Sequence, residues 1–507
     1  MEHRSGSKHR PLRFLCVGAL AVAGWLGAGS RAVADGPGEN AGATLATVHV
    51  DIDHLGKTVP SDFDGFSIEV DDAARMYLGP AGAPNLVFYQ LLKNLGVGTI
   101  RIGGDSADYS CWDPSSAPHP SRCRFTITEP DIEGFFHASA ATGWGLIVGV
   151  NLAQNGTSWA LEYGKAVVRA SESVPGSHLL GFEFGNEPDL FSTETKARPK
   201  GYSWKDLVED WRSYVKAFKS DPLTRNVPLV GPAFDDASPA WKDSWLAPFI
   251  AGVGPENFGI ITVHEYPTDT CNGDTVTIPQ LLSEPLMAQY RARAAAWIAT
   301  AAQAGLPLEL GETNSSACAG RRGVDDTFAS AAWGLDWLFT NAHLGFRRIN
   351  FHMDSAAYSA VFVKPTKLAG KTTYTNHVSP LYYAMLAFDS NAEGKSLLTA
   401  SLETQANVKA YAVRSPGGPV TVFVINKDSK ASGTVLVQPS RKLGEGSLLL
   451  VRAGSLASKS VSYGGQSFND ATGQIRAPAT IAVRPNSQGE YMFDLPQAAF
   501  GVLTINP

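Results

Sequence analysis

Eight short apolar, β-branched runs, each followed by a polar turn and a stretch of helical periodicity, constrain this chain more than any other feature. The runs are 63–70 (FDGFSIEV), 97–104 (VGTIRIGG), 145–152 (GLIVGVNL), 179–187 (LLGFEFGNE), 227–232 (VPLVGP), 259–266 (GIITVHEY), 307–312 (PLELGE) and 348–354 (RINFHMD). Between them, 82–95, 157–173, 203–220, 285–305 and 324–345 carry apolar residues at helical spacing. Ser203, Ser283 and Asp325 stand as helix start signals, and Pro285 suits a first helical turn. Strand and helix alternating in this way predict a closed parallel (β/α)8 TIM barrel over 60–392 rather than an open doubly wound sheet. No Gly-x-Gly-x-x-Gly follows the first run, so a dinucleotide site lacks its fingerprint.

After a last helix-like segment near 380–392 the texture changes. Short alternating runs (NVKAYAVRS, PVTVFVINKD, GTVLVQP, GSLLLVRA, GEYMFDL, FGVLTINP) separated by Gly, Pro, Ser and Asn predict an all-β sandwich over 393–507. A strand-like segment at 45–59 has no place in the barrel count. Residues 35–59 are therefore expected to supply an N-terminal strand to the sandwich.

The first 34 residues have a basic start (Arg4, Lys8, Arg10, Arg13), an apolar run from Phe14 to Leu26, and Ala32-Val33-Ala34. This is the pattern of a secretory signal peptide cleaved after Ala34, so a secreted or periplasmic location is expected. No later segment reaches the roughly 20 apolar residues of a membrane helix. Removing five basic and one acidic side chain from the 42 and 48 of the whole chain leaves a formal charge of about −10. An acidic surface disfavours nucleic acid, whose binding needs a basic face. Of five cysteines, Cys16 leaves with the signal; Cys111, Cys123, Cys271 and Cys318 remain. Export favours disulfides over metal sites, and Cys111–Cys123 would close a short Pro/Ser-rich loop.

In a parallel barrel the chemistry sits at the C-terminal ends of the strands. The fourth run ends in Gly185-Asn186-Glu187-Pro188-Asp189 and the seventh in Gly311-Glu312-Thr313-Asn314-Ser315. Strands four and seven lie on nearly opposite sides of a barrel of eight, so Glu187 and Glu312 can face each other across its mouth. Glycoside cleavage needs two such carboxyl groups, one protonated to help the leaving oxygen depart and one ionised to attack. The alternative is that both are ordinary strand-end carboxylates capping turns or pairing with Arg.

Asn186-Glu187 ending strand four, with a Glu ending strand seven, resembles the signature of the clan of retaining barrel glycosidases. More narrowly, FSIE (66–69), RIGGDSADY (101–109), GFEFGNEPDLF (181–191), HEYP (264–267), GETNSSACAG (311–320), GVDDTFASAAWGLDWL (323–338) and INFH (349–352) are similar to glycoside hydrolase family 79. That family contains β-glucuronidases, 4-O-methyl-glucuronidases and heparanases, on a barrel plus a β-sandwich. The resemblance runs from about residue 45 to the C-terminus. It implies Glu187 as acid/base, Glu312 as nucleophile, Asn186 on the sugar 2-hydroxyl and Tyr266 on the nucleophile. The expected substrate is a β-glucuronide or a glucuronate-containing glycan. No metal or organic cofactor is implied.

Other polar residues carry two readings each. Glu69 and Asp105 either grip sugar hydroxyls or pair with Arg101 inside the barrel. His352 and Tyr358 resemble the family's residues around the uronate, or are a core histidine and a rim tyrosine. His264 reads as a core histidine. Family members acting on glucuronate carry a Tyr and close glycines after the nucleophile. Here the loop is Ser315-Ser316-Ala317-Cys318-Ala319-Gly320-Arg321-Arg322, leaving the Gly320 backbone and Arg322 as candidate donors to a carboxylate. Cys271 and Cys318 follow adjacent strands and are expected to pair. A neutral-sugar glycosidase and a non-catalytic carbohydrate-binding protein are the rival functions. The sequence leaves the oligomeric state open.

Overall fold

The computed structural model describes residues 43–113, 122–154, 156–235, 243–368 and 370–507. The expected signal peptide lies outside the described residues. Eight parallel strands, Asp64–Glu69, Thr99–Gly103, Gly145–Val150, Leu179–Phe184, Leu229–Phe234, Ile260–Glu265, Leu308–Thr313 and Arg348–Met353, close into a barrel in chain order. Each falls on one of the eight runs. The strands are buried almost throughout because helices cover their outer faces.

The helices follow local chemistry. Ser203 caps Trp204–Ser220 in a capping box with Asp206, and Thr128 with Asp131 does the same for Glu129–Thr142. Ser283 precedes Glu284–Gln303, with Pro285 in its first turn. Asp325, expected to start the next helix, does not. Its carboxylate accepts from the Ser316 hydroxyl and the Arg321 amide, and Thr327 takes the N-cap position of Phe328–Leu344.

The C-terminal strands form one ten-stranded, largely antiparallel sheet with a core of its own. Its N-terminal member is Thr44–Thr58, which pairs antiparallel with Ser396–Glu403 and parallel with Gly433–Pro439. Strand alternation decides which side chain faces which core. In Val420–Asn426, Val422 and Val424 point into the sheet's own core, while Phe423 and Ile425 join the core shared with the barrel. There Phe423 meets Phe339 of Phe328–Leu344, which also stacks on Tyr411 and meets Phe388 of Pro380–Asn391. No helix among the described residues is long and apolar enough to cross a membrane.

Candidate active site

The barrel mouth is organised around one buried cation. Strand register sets His352 beside Ser67 and Ser67 beside Arg101, so these three stand at one level of the wall. Arg101, fully buried, distributes its guanidinium over four acceptors: Glu183 Oε2 at 2.5 Å, Glu312 Oε2 at 2.7 Å, Asn186 Oδ1 at 2.8 Å and Ser67 Oγ at 3.0 Å. A planar fork with several donors in fixed directions suits this arrangement in a way a lysine would not. Glu183 also accepts from Thr262 Oγ1 at 3.0 Å, which completes a closed polar layer inside the strands.

Glu312 sits where its strand becomes irregular. Pairing with both neighbouring strands shifts register between Leu310 and Thr313, a local kink that turns a side chain to a new direction. One Glu312 oxygen accepts from the Tyr266 hydroxyl at 2.7 Å; the other takes Arg101 and lies 3.3 Å from His352 Nδ1. Burial pushes its carboxyl up, but the charges of His352, His264 and Arg101 and the Tyr266 hydrogen bond outweigh burial. Glu312 is held well below the ordinary carboxylate range.

Glu187 follows its strand in a left-handed backbone conformation (φ 46°, ψ 52°), and its amide donates to the Ala233 carbonyl at 3.0 Å. Its carboxylate is partly exposed and meets His264 Nδ1 at 2.8 Å. Burial, then the neighbouring carboxylates of Asp235, Glu312, Asp105 and Asp189, push its carboxyl well above the ordinary range. One oxygen each of Glu187 and Glu312 and a ring nitrogen of His264 lie within 4.8 Å of one another. The mouth thus holds two carboxyl groups side by side, one biased to keep its proton and one biased to lose it.

No family model matches the chain. It is 28% identical over 383 residues to a β-glucuronidase of Neurospora crassa, a match spanning 66% of this chain and 66% of that protein. A β-glucuronidase of Aspergillus niger is 24% identical over 380 residues, with the same shares covered. In three dimensions the chain is similar to a 4-O-α-L-rhamnosyl-β-D-glucuronidase of Fusarium oxysporum, with a TM-score of 0.73 at 18% identity, covering 90% of this chain and 100% of that one.

This chain is a family 79-like glycosidase.

Around the glycosidase's carboxyl pair, the remaining residues take definite places. Asn186 is held from three sides: its amide donates to Asp108 at 2.8 Å, its side-chain NH2 to Asp105 at 3.0 Å, and its carbonyl oxygen accepts from Arg101. Asp108 also accepts the Leu152 and Ala153 amides, and burial still pushes its carboxyl up to about 6. Glu69 accepts the backbone amides of Asp105 and Ser106, and burial pushes it up to about 7. Gly104 (φ +70°) permits this, since a Cβ there would fall 2.2 Å from the Glu69 carboxylate. Neither Glu69 nor Asp105 is the hydrogen-bonded partner of Arg101; Glu183 and Glu312 are. Burial works against His352, but Glu312, Glu69 and Asp354 raise its tendency to hold a proton.

The glycosidase's loop beyond Glu312 is stitched to the loop beyond strand six. Thr268–Asp269 pairs in parallel with Ser316–Ala317, Thr268 Oγ1 donates to Ser315 O at 2.8 Å, and Cys271 is disulfide-bonded to Cys318. Cys111 is bonded to Cys123. Cys318, Ala319 and Gly320 all have positive φ, and a Cβ on Gly320 would touch Tyr358 and Asp325. Tyr358 is buried, its ring 6.2 Å from Tyr266 and 6.0 Å from His352. Arg322 lies at the rim, 69% exposed, 3.9 Å from Asp326 and over the Phe362 ring. Arg321 donates to the Val276 carbonyl.

Sequence reasoning missed the centre of this site. Arg101 is a lone arginine inside an apolar run, and Glu183 stands one pleat below the more visible Asn186-Glu187. His264 is buried as a core histidine would be, yet its partner is Glu187. A charged residue inside a β-branched run, where water cannot compensate it, was the available signal.

Proposed function

We propose that the protein is a retaining β-glucuronidase acting by double displacement. Glu312 attacks the anomeric carbon while Glu187 passes its proton to the leaving oxygen; Glu187 then takes a proton from water as water displaces Glu312. The observation that carries this reading is the carboxyl pair itself, with oxygens within 4.8 Å and opposite biases toward ionisation. Such proximity suits the roughly 5–5.5 Å spacing of retaining enzymes and leaves no room for the water of an inverting one. Tyr266 and Arg101 fix the nucleophile, Asn186 and Glu69 face the sugar hydroxyls, and His352, Tyr358 and the Gly320 loop surround the uronate.

The substrate class is supported by the β-glucuronidases to which the chain is similar, each matched over 66% of its length. The two disulfides suit an oxidising compartment. Residues 1–34 would direct export, with 60–392 as catalytic barrel and 393–507, joined by 35–59, as sandwich. One observation favours a neutral sugar instead: the loop after Glu312 has no Tyr, and Arg322 leans toward Asp326.

Hydrolysis of an aryl β-glucuronide, compared with the aryl β-glucoside and with Glu312→Ala, tests the proposal. Glucuronide turnover that Glu312→Ala abolishes, with the β-anomer formed first by NMR, is the expected result. Turnover of neither substrate overturns enzymatic activity; turnover of glucoside alone overturns the uronate assignment.

A further inference from the structure

A second buried acidic group lies at the opposite end of the barrel. Asp64 opens the first barrel strand, Asp389 belongs to the last turn of Pro380–Asn391, and Glu393 follows that helix. One carboxylate oxygen from each lies within 4.8 Å of the other two. Asp64 is 1% exposed, and its Oδ2 is buried without a hydrogen-bond partner. Both oxygens of Asp389 are buried and equally unpartnered. Glu393 accepts the Phe63 amide at 2.8 Å through one oxygen. Among the described residues no Lys, Arg or His forms an ion pair with any of the three. The nearby guanidinium groups are already committed: Arg347 to Asp62, and Arg348 to Asp62 and Glu309.

Three carboxylates this close, away from water and without a counter-charge, are too costly to hold ionised. A hard cation removes the cost. Simple geometry places a point within about 2.8 Å of three atoms that are no more than 4.8 Å apart, close to the 2.3–2.6 Å of calcium–oxygen bonds and wide for the 2.0–2.1 Å octahedron of magnesium. We propose that Asp64, Asp389 and Glu393 form a structural site for a calcium-sized divalent cation.

The location gives the site a purpose. Val59 donates to the Lys395 carbonyl at 2.9 Å and Gly394 to the Val59 carbonyl at 3.0 Å, so the two chain segments that join barrel and sheet run side by side here. A cation held by Asp64 from one segment's end and by Asp389 and Glu393 from the other would tie the crossing together. It lies far from the carboxyl pair at the mouth and acts on stability alone.

The test uses the full-length protein, stripped with a calcium chelator and titrated with CaCl2 at neutral pH by calorimetry and thermal unfolding. One calcium bound per chain and a Tm rise of at least roughly 2 °C are expected, with a smaller rise from MgCl2. Glu393→Gln alone should weaken binding, and Asp389→Asn with Glu393→Gln should abolish it. Absence of both heat and Tm shift in the wild-type protein overturns the proposal. So does a calcium response that survives in full in either variant, or a Tm that falls with rising pH equally with and without calcium, which would mean the cluster holds protons instead.

Discussion

Arg101 and Lys427 are both buried cations, with side-chain exposures of 0% and 1%, yet they serve different ends. Lys427 reaches from the C-terminal sheet to Asp336 of Phe328–Leu344, whose other oxygen accepts from Tyr411. That network is closed. Its acceptors touch nothing but their donors, so it ties two layers together. Arg101 shares its charge between Glu183, which is equally closed in, and Glu312, which also contacts Tyr266 and stands near partly exposed Glu187. Burial of a charge therefore does not mark a catalytic site. The mark is a buried ion pair with one member turned toward a second, oppositely biased group.

Substitutions on the two networks should separate them. Glu312→Ala should lower kcat by roughly 10⁴-fold or more while leaving the fold intact; retained turnover would make the Arg101 network another tie. Glu187→Gln should lower kcat by about 10² to 10⁴-fold and alter the pH profile. The sign follows from the two biases. Glu187 must be protonated and its carboxyl is raised, so wild-type activity falls as pH climbs through that raised value. Glu312 must be ionised and is held low, so the acid limb lies below the usual carboxylate range. A profile whose alkaline limb persists unchanged in Glu187→Gln would assign that limb elsewhere. Arg101→Lys keeps the charge but loses the fork, and kcat/KM should drop by roughly 10²-fold.

On the other network, Lys427→Met strands Asp336 without a counter-charge and should destabilise the protein by about 3–5 kcal/mol. Denaturant unfolding measures this, and kcat/KM on the folded protein should not move. A change in kcat/KM would join the two networks. The smallest effect is expected from Cys271→Ser with Cys318→Ser, about 2–4 kcal/mol of stability and a several-fold rise in KM with kcat retained.

What was legible in the sequence follows the same division. Barrel strands announce themselves because a parallel sheet buried on both faces needs a continuous apolar run, and each observed strand lies on one. Glu187 and Glu312 are readable because strand ends are where such runs stop. The contacts made by inward-facing polar residues are not readable this way. Whether Arg101 meets Glu69, Asp105, Glu183 or Glu312 depends on strand stagger and on the irregularity at Leu310–Thr313. The sheet strand Ser396–Glu403 was blurred for another reason: beyond Leu398 it alternates buried and exposed positions only weakly. Asp325 misled because its carboxylate serves the loop rather than the helix.

The N-terminal strand Thr44–Thr58 has a consequence for how the protein is made. Its hydrogen-bonding partners are Ser396–Glu403 and Gly433–Pro439, so the first strand to emerge during synthesis waits for almost the whole chain. The amides of Phe328 and Ala329 likewise wait for the carbonyls of Ser458 and Leu456. Contacts this distant along the chain close late and slowly. The nascent barrel therefore passes through a stage with an unpaired apolar strand at its head, the species a chaperone in the assembling compartment would meet.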